Sequence, residues 1–240
     1  MVASDGLVAT SAATAGRIRA EYGSVVVDVV EPGADRLPCH PREARAGERI
    51  ELLFVGNLVA RKNLPLLFDA LERVADPRLS LTLVGDRARE PGHARELAAR
   101  VAGSPALRSS VATVGVVDDD ALARHMARAQ ALVLPSSVEG YGMVLTEALR
   151  AGLPALASRP SALASGLEKS SAVIVFDDAS GLAEALGRFA DNAALRQAMQ
   201  RAAEAVVLPR WRQAAKAFRE ALIRVKERSA RPQPDRARAP

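Results

Sequence analysis

From residue 50 onward the chain alternates between short unbroken apolar runs and stretches whose apolar positions recur every three or four residues. The runs "IELLFVGNL" (50–58), "LSLTLVGD" (79–86), "VATVG" (111–115), "ALVLP" (131–135), "LPALAS" (153–158) and "AVIVF" (172–176) predict strands. Between them, "NLPLLFDALERVA" (63–75), "GHARELAARVAG" (92–103), "DDDALARHMARA" (118–129) and "GMVLTEALRAG" (142–152) predict amphipathic helices, and a helix-rich end runs from about Ser180 to Arg228. Strand and helix in alternation imply a parallel sheet with helices on both faces. Strands buried on both faces lose the in/out alternation of an antiparallel sheet, as these apolar runs do. The fold class expected is α/β, a doubly wound, Rossmann-like parallel sheet with a helical C-terminal extension.

Residues 1–49 differ. "DGLVATS", "AATAGRIRAEYG" and "VVVDVVEPGAD" predict one strand, one helix and one strand, and "RLPCHPREARAGE" reads as a polar linker. A unit of that size cannot bury a core alone, so it is expected to be the last piece of a preceding domain. The main domain then spans 50–228, and 229–240, rich in Pro and Arg, reads as a disordered basic tail.

Composition narrows the function. Hydrophobic residues make up 49% of the 240 and charged residues 25%, ordinary values for a globular domain. Aromatics at 3% are too scarce for the stacking platforms that capture single-stranded nucleic acid, so no nucleic-acid partner is expected. Of the net charge of +5, three units lie in residues 226–240, which leaves the body nearly balanced and any membrane contact at most peripheral. The single Cys39 excludes an intramolecular disulfide and a Cys-based zinc cluster, and His40, His93 and His125 have no metal-ligand spacing. Without a leader pattern or a long apolar run, the chain reads as cytoplasmic.

In a doubly wound sheet, ligands lie beyond the carboxyl ends of the strands. Those ends are Gly56 to Lys62, Gly85 to Arg87, Gly115 to Asp118 and Pro135 to Gly142. The last leads into "EGYGMVLTE", two glutamates eight positions apart around a Gly-Tyr-Gly turn. With a helix beginning near Gly142, Val144, Leu145, Ala148 and Leu149 share one face, and Glu147 is expected on the exposed one. Gly140 and Gly142 leave backbone N–H groups unshielded at the positive end of that helix, a natural anion site. Ordinary structural roles stand beside this: Glu139 complementing the macrodipole, and Glu147 with Arg150 as a surface pair. In "VGNLVARKNLP", Asn63 is expected to cap the next helix, which sets Arg61 and Lys62 at its positive end, where an anion would relieve the conflict. Lys62 is one of only four lysines among 33 cations. The Asp-x-Asp of "VDDDAL" reads as helix capping rather than a metal site, and Asp86 as a turn residue or a group near the ligand.

Taken together, "FVGNLVARKNLPLLFDAL", "LTLVGD", "VGVVDDDALARHMARAQALVLPSSVEGYGMVLTEALRAGLPALAS" and "RWRQAAKAF" resemble the nucleotide-sugar-binding half of a family 4 retaining glycosyltransferase, the glycogen-synthase-like group with the GT-B architecture. The resemblance covers about Asp5 to Phe218. It implies that Lys62 binds the donor diphosphate and that Glu139 holds the transferred sugar, these two being the catalytic residues. It also implies that Gly140, Tyr141, Gly142, Met143 and Val144 contact sugar and phosphate, and that Glu147 binds ribose hydroxyls. Gly56, Asn57 and Arg61 would flank the phosphates, and Gly85, Asp86, Gly115 and Val116 would line the nucleotide pocket. No cofactor or metal is implied beyond the nucleoside-diphosphate sugar itself. The partners implied are a sugar or glycolipid-type acceptor and a separate acceptor domain, since residues 1–35 resemble only the final strand, helix and strand of the family's other domain. Two positions depart from the family: Asn57 stands in place of a phosphate-binding arginine, and "RPSALASGL" in place of a Gly-Gly and a glutamate. A non-catalytic nucleotide-sugar-binding subunit, or a truncated remnant, is the alternative.

Overall fold

The computed structural model describes residues 6–23, 25–42 and 49–229. Residues 43–48 of the expected linker and residues 230–240 of the expected tail lie outside these. The described chain opens with β1 (Leu7–Ala9), α1 (Ala12–Tyr22) and β2 (Val27–Val29), in which β1 and β2 pair in parallel. Ser11 starts α1 by accepting a hydrogen bond from the Thr14 N–H at 3.1 Å. Among the described residues, Ala9, Ala15 and Val27 form the buried cluster of this unit, with Leu7, Ile18 and Val25 packed against it.

The main body follows the expected alternation. Its strands are β3 (Ile50–Val55), β4 (Leu79–Val84), β5 (Val111–Gly115), β6 (Ala131–Leu134), β7 (Ala155–Ser158) and β8 (Val173–Phe176), all parallel, in the spatial order β5-β4-β3-β6-β7-β8. The helices are α2 (Leu64–Val74), α3 (Pro91–Gly103), α4 (Pro105–Ser110), α5 (Asp119–Arg128), α6 (Met143–Arg150), α7 (Arg159–Ala164), α8 (Ala179–Asp191), α9 (Ala193–Ala205) and α10 (Trp211–Ser229). The strand order is that of the doubly wound dinucleotide-binding sheet, so the fold class expected from sequence is correct. The short helices α4 and α7 went unforeseen: each lasts six residues, too few for a period to register.

Alternate residues of β3 explain the unbroken apolar run. Leu52 and Phe54 pack with Leu67 and Phe68 of α2 and Phe189 of α8, while Leu53 and Val55 pack with Met126 of α5 and Leu145 and Leu149 of α6. Both faces of the strand are therefore buried. The winding reverses between β3 and β6, and the loops after these two strands border the crevice where such sheets bind ligands.

Segment 30–42 crosses the main body without regular structure and is tied to it by side chains. Arg42 donates to the Met126 and Ala129 carbonyls at the C-terminal end of α5, at 2.5 Å each, and His40 meets Asp120 at 2.9 Å. At the other end, Arg224 and Arg228 of α10 hold Asp28 at 2.9 and 2.6 Å, which keeps its carboxyl below the usual range.

Candidate functional site

Four neighbouring strands, β5, β4, β3 and β6, carry the four loops singled out above. Three are stitched together past the strand ends, with Gly85 N–H donating to Gly115 O at 2.8 Å, Gly56 N–H to Val84 O at 2.9 Å and Leu58 N–H to Asp86 O at 2.8 Å. The approach is so close that a Cβ on Gly85, whose φ is +153°, would lie 1.9 Å from the Gly56 carbonyl oxygen. Glycine is the residue that fits there.

The loop after β3 turns through a 3-10 segment, Ala60–Lys62. Its Ala60 N–H is held by Glu90 at 2.8 Å, and the Arg61 carbonyl accepts from the Ser137 N–H at 2.9 Å and the Ser137 hydroxyl at 3.1 Å. This clip presses the turn against the loop after β6. Lys62 is consequently buried, and its Nζ lies 2.5 Å from Glu139 Oε1, with both side chains 9% exposed. The Ser136 hydroxyl donates to the same oxygen at 2.7 Å, and Arg61 approaches Oε2 at 3.8 Å. The cation expected to face a helix terminus is thus balanced by a carboxylate 77 residues away. Asn63 does occupy the N-cap position of α2, but it is left-handed (φ 51°, ψ 42°) and its side chain makes no capping bond, contrary to expectation.

Gly142, also left-handed at φ 84°, precedes α6 and has no side chain with which to cap it. The Leu145 N–H already donates to the Gly142 carbonyl at 2.9 Å, so it is the Met143 and Val144 N–H groups, which no side chain caps, that a ligand can use. Lys62, Leu134, Glu139, Gly140, Tyr141, Gly142, Met143 and Val144 line a cavity of about 370 Å³ together with Thr10 and Pro32 of the first unit. Thr14 donates to the Gly140 carbonyl at 2.8 Å, which fixes the glycine turn from that side. Burial, and then the negative charge of Glu31, push the Tyr141 phenol up to about 12, so it stays protonated at neutral pH.

A second cavity, about 390 Å³, is lined by Gly85, Asp86, Arg87, Ala88, Gly115 and Val116. Asp86 serves both purposes weighed for it: it lines this cavity, and it closes a turn by accepting from the Ala88 N–H at 2.7 Å. Of the expected residues, Asn57 and Arg61 line neither cavity and are exposed. Gly56 packs on the Lys62 stem, where a Cβ would come 3.1 Å from Lys62 Cε.

Glu147 overturns its expected placement. It is buried rather than exposed, and its partner is not Arg150 but Arg36, whose Nε donates to Oε1 at 2.8 Å and whose Nη2 lies 3.5 Å from Oε2. The outer face of α6 meets the crossing segment instead of solvent, a contact between residues 111 positions apart that helical periodicity cannot reveal. Hydrogen bonding to Glu147 holds the Arg36 guanidinium even more firmly protonated than usual, with Asp119 contributing. Arg36, Ser136 and Thr14 are the side chains that sequence reading missed. The Asp-x-Asp run behaves as caps and pairs: Asp118 accepts from the Ala121 N–H at 2.7 Å, Asp119 pairs with Arg36, and Asp120 with His40 and Arg124. Among the described residues, no three His, Cys, Asp or Glu side chains gather as a metal cluster would, and no helix is long and apolar enough to cross a membrane.

Residues 49–192 match the family described as glycosyl transferases group 1. The chain is 29% identical over 241 residues to the glycogen synthase of Mycobacterium tuberculosis, covering 96% of this chain and 57% of that protein. It is 30% identical over 230 residues to the D-inositol 3-phosphate glycosyltransferase of Streptomyces avermitilis, covering 85% of this chain and 48% of that one. The chain thus spans about half the length of the curated relatives it matches. Its fold resembles that of Anabaena HepE in complex with UDP-glucose, with a TM-score of 0.75 and 17% identity over 93% of this chain and 64% of that one. The family match and the sheet order agree, and the chain belongs to the group 1 glycosyl transferases.

Proposed function

We propose that the chain is the donor-binding half of a retaining glycosyltransferase, which moves a sugar from a nucleoside-diphosphate sugar to an acceptor held by another domain. The observation that carries this reading is the Lys62–Glu139 pair, which lies at the switch point and lines a cavity shared with the uncapped start of α6. A base in the Gly85/Gly115/Val116 cavity and a diphosphate at the Lys62 and Met143 end would span the two cavities, with the ribose between them near Glu147. Lys62 and the first N–H groups of α6 would stabilise the negative charge that develops on the diphosphate as the bond from the sugar anomeric carbon breaks. The acceptor hydroxyl oxygen would attack from the same face and pass its proton to the departing phosphate oxygen, with Glu139 holding the sugar. The positive field then comes from the protein, and no metal is required. The same reading keeps the chain in the cytoplasm, with membrane contact at most peripheral.

Asn57 and Arg61 outside the cavities favour one second reading, a non-catalytic nucleotide-sugar-binding subunit, because Lys62 is then the one expected cation at the phosphates. A thermal-shift screen of UDP, GDP and ADP and their sugars without metal tests both readings. Ligand at 100 times Kd should add about 2.7 kcal/mol of apparent stability. If no ligand moves the melt with or without Mg²⁺, the donor-site assignment is wrong. Sugar transfer once an acceptor domain is supplied favours the enzyme, and binding with no transfer under any pairing favours the subunit.

A further inference from the structure

We propose that Arg36 is a displaceable latch over Glu147: it covers the ribose-holding carboxylate and gives way to the nucleotide while keeping its hold on Asp119. The inference rests on the donor-site reading above. The Glu147 side chain is 2% exposed and lines neither cavity, so a ribose can reach it only after whatever covers it has moved. The cover is the Arg36 guanidinium, through one good bond at 2.8 Å and one long one at 3.5 Å.

The position of Arg36 fits a competitor for the ribose. Glu147 is three residues beyond Val144, which lines the phosphate-side cavity, and Asp119 is three residues beyond Val116, which lines the base-side cavity. Arg36 joins the two flanks, where a nucleoside diphosphate spanning the cavities would place its sugar. Release is also inexpensive. The Asp119 carboxylate, 56% exposed, already shares the guanidinium, and Arg36, 38% exposed, is partly hydrated. Leaving Glu147 therefore strands no buried cation, and the ribose hydroxyls supply the donors that the buried carboxylate loses. Because Arg36 lies on the crossing segment between the first unit and the main body, nucleotide occupancy is coupled to how firmly that segment is held.

The latch predicts opposite signs for two substitutions. Arg36→Gln removes the competitor and should tighten binding of the nucleoside diphosphate roughly tenfold, while binding of inorganic pyrophosphate, which has no ribose, stays the same. Asp119→Asn removes the alternative holder and should weaken nucleoside diphosphate binding several-fold, again without effect on pyrophosphate. Arg36→Met, which keeps the side-chain volume, serves if Arg36→Gln folds poorly. The experiment is calorimetric titration of the full chain and each variant with UDP, GDP, ADP and pyrophosphate. If Arg36→Gln weakens binding or leaves it unchanged, Arg36 is a fixed support for Glu147 and the latch is overturned alone. A wild-type chain that binds none of the nucleoside diphosphates overturns the donor-site reading and the latch with it.

Discussion

Replacing Lys62 by methionine removes one partner of a buried ion pair and leaves the other in place. Both side chains are 9% exposed and the charged atoms are 2.5 Å apart, so Glu139 would be left nearly desolvated with only the Ser136 hydroxyl at 2.7 Å and the exposed Arg61 at 3.8 Å. Breaking a buried pair from one side costs about 3–5 kcal/mol. The two remaining contacts put this case near the lower end, about 3 kcal/mol. For a chain of this length that corresponds to a fall in Tm of roughly 6–12 °C. The double variant Lys62→Met/Glu139→Gln removes the stranded charge as well and should recover most of the loss, since the penalty belongs to the unpaired ion more than to the lost attraction. Urea unfolding of the wild type, both single variants and the double variant closes the cycle. A Lys62→Met loss below about 1 kcal/mol would mean that the pair is solvated, and a double variant no more stable than Lys62→Met would mean that the stranded Glu139 charge is not what costs the stability.

Gly85→Ala should cost more stability than Gly115→Ala, because the new Cβ at 85 meets the Gly56 carbonyl at 1.9 Å whereas at 115 only the backbone conformation (φ +88°) opposes it; denaturant midpoints give the order, and equal losses would count against the loop stitching. Asp28, held by Arg228 and Arg224, has its carboxyl lowered from the ordinary 3.8, so its stabilisation is fully present above that value and is lost as pH falls through the lowered one. Asp28→Asn should therefore reduce stability at pH 7 and flatten the acid limb below about pH 4, as thermal melts across pH would reveal.

The sheet was legible because its central strands β3, β6 and β7 are buried on both faces and its helices on one, so that each announces itself by its own period; the edge strand β5 is largely exposed. Gly56, Gly85 and Gly142 were legible as punctuation at strand ends, and the structure gives each a backbone reason. What stayed hidden depends on contacts distant in sequence. Glu147 looked exposed because a helical wheel supplies the direction of a side chain but not what lies over it, and the crossing segment lies over it. Lys62 drew attention as a rare lysine near a helix start, yet its burial follows from Ser137 clipping the turn, with no local signature. Ser136 and Thr14 hold the glycine loop through single hydroxyls, residues too common in loops to stand out.

On the proposed function, one nucleoside diphosphate spans both cavities, with its phosphates at Lys62 and its ribose at Glu147. Calorimetric titration without metal, comparing a nucleoside diphosphate with the nucleoside alone against wild type, Lys62→Met and Glu147→Ala below their melting ranges, tests it most directly. Lys62→Met should weaken the diphosphate tenfold or more while leaving the nucleoside unchanged, and Glu147→Ala should weaken both. Equal losses for both ligands on Lys62→Met, or undiminished nucleoside binding in Glu147→Ala, would contradict it.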